Sequence, residues 1–74
     1  MDRILEILKA VKPGVNFENE TNLIEDGILE SMQILMIIAS IKNEFHVEIK
    51  PSQIVPENFS SAEAIWNLVS GLLS

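Results

Sequence analysis

The sequence predicts an all-α fold: a small antiparallel bundle of three main helices plus one short helical turn, with a long loop between the first and second helices. Three observations predict it. The chain has 74 residues, 47% of them hydrophobic, which is room and apolar material for a single domain over residues 1–74. Apolar residues recur at helical spacing in three separate segments. No two segments alternate apolar and polar residues convincingly enough to form a strand pair.

Residues 2–11 form the first expected helix. Ile4, Leu5, Leu8 and Val11 make its apolar stripe, Asp2 is placed to cap it, and Pro13-Gly14 stops it. Residues 12–30 are irregular and mostly polar, yet Val15, Phe17, Leu23, Ile24, Ile28 and Leu29 interrupt the run. Those anchors predict a loop that wraps the bundle, with Asp26-Gly27 as a turn. Residues 31–45 form the second helix, with Ile34, Ile37, Ile38, Ile41 and Phe45 on one arc facing the core. Val47-Glu48-Ile49 reads as extended. Pro51 then opens a single turn that Pro56 closes, since a residue before proline avoids the helical region. The last helix is expected to open at Ser60, with Glu63 completing a capping box and Ile65, Leu68, Val69 and Leu72 buried.

Composition excludes several functions. There is no cysteine, so there is no disulfide framework, cysteine nucleophile or thiolate metal site. Eleven acids against five bases give a formal charge of −6, the wrong sign for a nucleic-acid or anionic-membrane binder. No Lys or Arg occurs between Pro13 and Ile41, a stretch holding Glu18, Glu20, Glu25, Asp26 and Glu30. That stretch is either a solvated acidic loop or a face that steers basic partners. No apolar run approaches the roughly 20 residues of a membrane span, and charges break up the first residues, so no direct membrane insertion and a cytoplasmic location are expected.

Chemistry is sparse. The single histidine, His46, would lie at the far end of the second helix from Ser31, roughly 22 Å away at about 1.5 Å per residue. The two cannot form a nucleophile–base pair, and His46 suits the negative end of the helix dipole. The acids lack the ligand spacing and glycine of a calcium loop, and no glycine-rich phosphate loop is present. The residues give no catalytic set and no metal site; an enzyme is not expected.

One segment stands out: Asp26-Gly27-Ile28-Leu29-Glu30-Ser31-Met32, which puts a hydroxyl where the loop meets the second helix. By its position alone, Ser31 is either a helix cap in an unmodified interaction module or an exposed acceptor for a phosphodiester. The segment, followed by an apolar helix ending in Glu44-Phe45, resembles the phosphopantetheine attachment motif of acyl and peptidyl carrier proteins. In that family an Asp-Ser-Leu triplet bears the modified serine; here the triplet is Glu30-Ser31-Met32. The resemblance covers nearly the whole chain, including Ile49-Lys50-Pro51 and Pro56-Glu57-Asn58-Phe59 before the last helix.

The resemblance implies a monomeric carrier with phosphopantetheine joined to Ser31 by a separate phosphopantetheinyl transferase, which takes the arm from coenzyme A with Mg²⁺. It also implies a ligase or adenylating enzyme that loads an acyl or aminoacyl thioester, and enzymes that accept the cargo downstream. The second helix carries more apolar residues than its core arc uses: Met32, Leu35, Met36 and Ala39 fall opposite or beside that arc, with Met36 farthest from it. Carrier families usually dock partners through this helix with acidic side chains. Gln33, Met36, Lys42 and Asn43 leave little acid here, so Met32, Leu35, Met36 and Ala39 are the expected partner face. The resemblance then implies a D-alanyl-carrier-like protein or another specialised stand-alone carrier rather than the general fatty-acid carrier.

Overall fold

A computed structural model describes residues 2–73; Met1 and Ser74, the ends of the expected domain, lie outside it. The described residues are helical or irregular, with no strand. Helix α1 spans Asp2–Val11 and α2 spans Ser31–Phe45. A single 3₁₀ turn covers Pro51–Gln53, α3 covers Pro56–Phe59, and α4 runs Ala62–Leu73. Helix α3 occupies a segment expected only to lead into the last helix; Pro56 at its first position starts it.

Helix α1 packs against both α2 and α4, and α3 packs against α4. Arg3 near the start of α1 pairs with Glu44 near the end of α2, so these two helices run antiparallel. The core comprises Ile4, Ile7 and Leu8 of α1, Ile37 and Ile41 of α2, and Ala62, Ile65 and Val69 of α4, with Phe17, Leu23, Leu29, Ile49 and Phe59 from between the helices. The expected arcs are correct in direction and too wide. Leu5, Val11, Ile34, Ile38, Phe45, Leu68 and Leu72 are half-buried at the edge of the core, while Ile7, outside the expected stripe, is buried. The ring of Phe45 meets that of Trp66 with centroids 6.2 Å apart, joining the end of α2 to α4.

Two helix starts differ from expectation. Asp2 is the first residue inside α1 rather than a cap ahead of it. The cap of α4 is Ser61, whose Oγ accepts a hydrogen bond from the Ala64 N–H at 3.0 Å. Ser60 ends α3 in helical backbone geometry and its hydroxyl donates to the Glu57 carbonyl, so it cannot form the expected capping box.

Helix α2 ends on His46, which adopts the left-handed conformation with φ 58° and donates its N–H to the Lys42 carbonyl at 3.0 Å. Glycine normally fills this position because a Cβ is disfavoured there. His46→Gly should therefore raise stability by about 0.5 kcal/mol, the relief of left-handed strain less the extra chain entropy of glycine. A rise in the denaturation midpoint checks this; a fall would mean that the imidazole contributes more than its backbone costs.

Candidate functional site

The site is built by the end of the long loop. Leu23 is buried, and its backbone is the anchor: its N–H donates to the Ser60 carbonyl at 2.9 Å, and its carbonyl accepts from the N–H groups of Ile28 and Leu29, each at 3.0 Å. Between these contacts the chain turns through Gly27, whose φ of +72° favours glycine. Nothing lies within 4 Å of where a Cβ at Gly27 would stand, so the backbone dihedral and not space requires the glycine. Leu29 is 2% exposed and plugs the core immediately before α2. All the expected apolar anchors of the loop are buried or packed against the core, which is why a stretch this polar holds one path.

Glu30 follows in extended geometry, φ −104° and ψ 177°, as the residue preceding the helix. Its carbonyl accepts the Ile34 N–H at 3.0 Å, and its N–H donates to Oε1 of Gln33 at 3.0 Å. Ser31 is thus the first residue of α2 rather than its cap. Its side chain is exposed and makes no hydrogen bond among the described residues. This departs from the cap expected in the unmodified-module alternative. A free hydroxyl stands in the first turn, where unpaired backbone N–H groups and the helix dipole favour an anion. That setting fits a phosphodiester.

Beside Ser31, one turn on, is Leu35. Met32 is 66% exposed, Leu35 62% and Met36 46%, and Ala39 is exposed as well. The predicted partner residues therefore form one apolar strip continuous with Ser31, uncovered by the loop. Met36 is not the residue farthest from the core; Met32 and Leu35 stand further out. Glu25, Asp26 and Glu30 are exposed near the same end of α2 and have no ion-pair partner among the described residues. The ion pairs lie elsewhere: Arg3 with Glu44, Lys9 with Glu18 at 3.7 Å and Lys42 with Glu48 at 3.6 Å. His46 closes the opposite end of α2 from Ser31. Among the described residues no group of three or more His, Cys, Asp or Glu side chains could hold a metal. Among the described residues no helix is long and apolar enough to cross a membrane.

Sequence reasoning missed one residue of the site. By composition Gln33 stands out only as a non-acidic position on the second helix. The signal for its bond was present in Glu30-Ser31-Met32-Gln33, where a glutamine three residues past Glu30 can reach back to its N–H.

The chain is similar to curated proteins named D-alanyl carrier protein. That of Lactococcus lactis subsp. lactis strain IL1403 is 29% identical over 66 residues, covering 86% of this chain and 84% of the relative. That of L. lactis subsp. cremoris strain MG1363 is 27% identical over the same shares. No family model and no solved structure matches. These relatives support the resemblance to the carrier-protein family.

Proposed function

We propose, for a chain that resembles carrier proteins along most of its length, that it is not an enzyme but a carrier holding an acyl or aminoacyl group on phosphopantetheine attached to Ser31. The observation that carries this is the exposed, unbonded Ser31 hydroxyl at the first position of α2, within the motif that the sequence shares with carriers. When attached, the arm supplies a thiol on which cargo travels as a thioester. The Ser31 oxygen bonds to the phosphorus nearest the pantetheine, the pyrophosphate P–O bond breaks, and the nucleotide half of coenzyme A leaves. The hydroxyl proton goes to a base on the transferase, because His46 stands at the other end of the helix. The three-helix scaffold with α3 and the 3₁₀ turn is the frame that holds Ser31 outward. D-alanine, named by the relatives, is the first cargo to test.

The test is mass spectrometry of the intact protein after co-expression with a broad-specificity phosphopantetheinyl transferase. A gain of one phosphopantetheine mapped to Ser31 is expected; an unmodified protein would overturn the proposal. Loading of the modified protein by a D-alanine-activating ligase then addresses the cargo.

The strip of Met32, Leu35, Met36 and Ala39 is the proposed docking face for the loading enzyme. Leu35→Lys should lower transfer of cargo onto the arm by about tenfold, the effect of losing a central apolar contact. Its exposure should keep the change in stability within about 0.5 kcal/mol. Raised salt should slow association by screening Glu25, Asp26 and Glu30 and leave most of the affinity intact. Unfolding of Leu35→Lys, or loss of nearly all binding at high salt, would move recognition away from this strip.

A further inference from the structure

We propose that Gln33 is a positioning residue for Ser31: its side-chain oxygen fixes the start of α2 one residue ahead of Ser31 and thereby keeps the Ser31 hydroxyl free for modification. The inference rests on the carrier reading above and adds a residue to its site.

Local preference alone favours a different helix start. Serine is among the best N-cap residues and glutamate is not. With Ser31 as cap, its backbone would turn extended and its oxygen would accept an N–H from the first turn, that of Gln33 or Ile34. A hydroxyl so engaged is pulled toward the helix end and has one lone pair committed. The structure adopts the other register. Two bonds converge on the backbone of Glu30: its carbonyl takes the Ile34 N–H at 3.0 Å, and its N–H is held by Gln33 Oε1 at 3.0 Å. The first uses up one of the two N–H groups that a capping Ser31 could take. The second satisfies a donor that the Glu30-capped start would otherwise leave to water. Glu30 and Gln33 face each other as a reciprocal capping box, and Gln33 supplies the half of it that holds the Glu30 N–H. Gln33 is half-buried, which restricts the side chain that makes the bond.

The experiment uses the full chain with coenzyme A and a broad-specificity phosphopantetheinyl transferase. Initial loading rates are followed by mass spectrometry for wild type, Gln33→Ala, Gln33→Met and Gln33→Glu. Amide exchange at Glu30 is followed by NMR in the same proteins. Methionine keeps the bulk and removes the acceptor; glutamate keeps the acceptor. Alanine and methionine should lower kcat by about fivefold, equivalent to about 1 kcal/mol at 1.4 kcal/mol per decade, with KM little changed. Both should speed exchange of the Glu30 amide, and glutamate should restore the wild-type rate and protection. Loading of the alanine and methionine variants at the wild-type rate would overturn the proposal, as would a glutamate variant as slow as alanine. A Glu30 amide exchanging equally fast in all four proteins would overturn it too. If wild type gains no arm while its Glu30 amide is protected, the carrier reading fails and the helix register stands.

Discussion

Ser31→Ala is expected to abolish phosphopantetheine loading and to change stability by no more than about 0.5 kcal/mol, as for an exposed side chain without special contacts. The two halves of this result have separate causes. Loading is lost because the bond forms on the hydroxyl oxygen itself. Stability is kept because Glu30 occupies the cap position and the Ser31 hydroxyl holds no hydrogen bond among the described residues. A serine serving as the cap would cost about 0.5–2 kcal/mol on removal, so the stability measurement also separates this helix register from one capped by Ser31. Ser52 is a suitable control, because it is exposed but lies in the three-residue turn Pro51–Gln53 rather than at the start of a long helix. Ser52→Ala should load as wild type does. Mass gain persisting in Ser31→Ala would remove Ser31 from the site.

Ile37→Ala is expected to cost about 2–5 kcal/mol, the range for truncating a fully buried isoleucine. Ile37 is buried completely, in the central part of α2, and shares the core with Leu8 and Ile65. A chain of this length has total stability on the order of 5 kcal/mol, so much of the population would unfold. Ile38→Ala and Leu68→Ala, which periodicity alone would rank equally, should cost less because both are half-buried and water can reach part of the space vacated. Denaturant midpoints of the three variants check the order. Equal midpoints would mean that the edge of the core is as tightly packed as its centre.

The different ranks of Ile37 and Ile38 illustrate how far the sequence can be read. Periodicity gives the direction of a helix face, and the directions of α1, α2 and α4 were legible from their apolar spacing. It does not give how wide a strip the neighbours cover, which is a tertiary property; hence Ile38, Leu68 and Leu72 at the edge and Ile7 inside. The four residues of α3 are too few to show a period, although Pro56 marked its start. At Ser60 and Ser61 two good caps stand side by side. The spacing to Glu63 favoured Ser60, but α3 holds Ser60 in helical geometry and leaves the role to Ser61. The loop and Ser31 were legible because apolar anchors and the Asp-Gly turn sit in an otherwise polar stretch. The exact register at Ser31 was not, because a side-chain bond from Gln33 prevails over the capping preference of serine.

The contact between Phe45 and Trp66 has a practical consequence for all of these measurements. Trp66 is the sole tryptophan, it is half-buried, and it lies against a ring at the end of α2 opposite Ser31. Along the helix axis that end is roughly 21 Å from Ser31, at about 1.5 Å per residue. Tryptophan emission therefore reads the seam between α2 and α4 without an added label. It should shift to longer wavelength when Ile37→Ala opens the core and stay still when an arm is attached at Ser31, giving an optical signal for folding that modification does not contaminate.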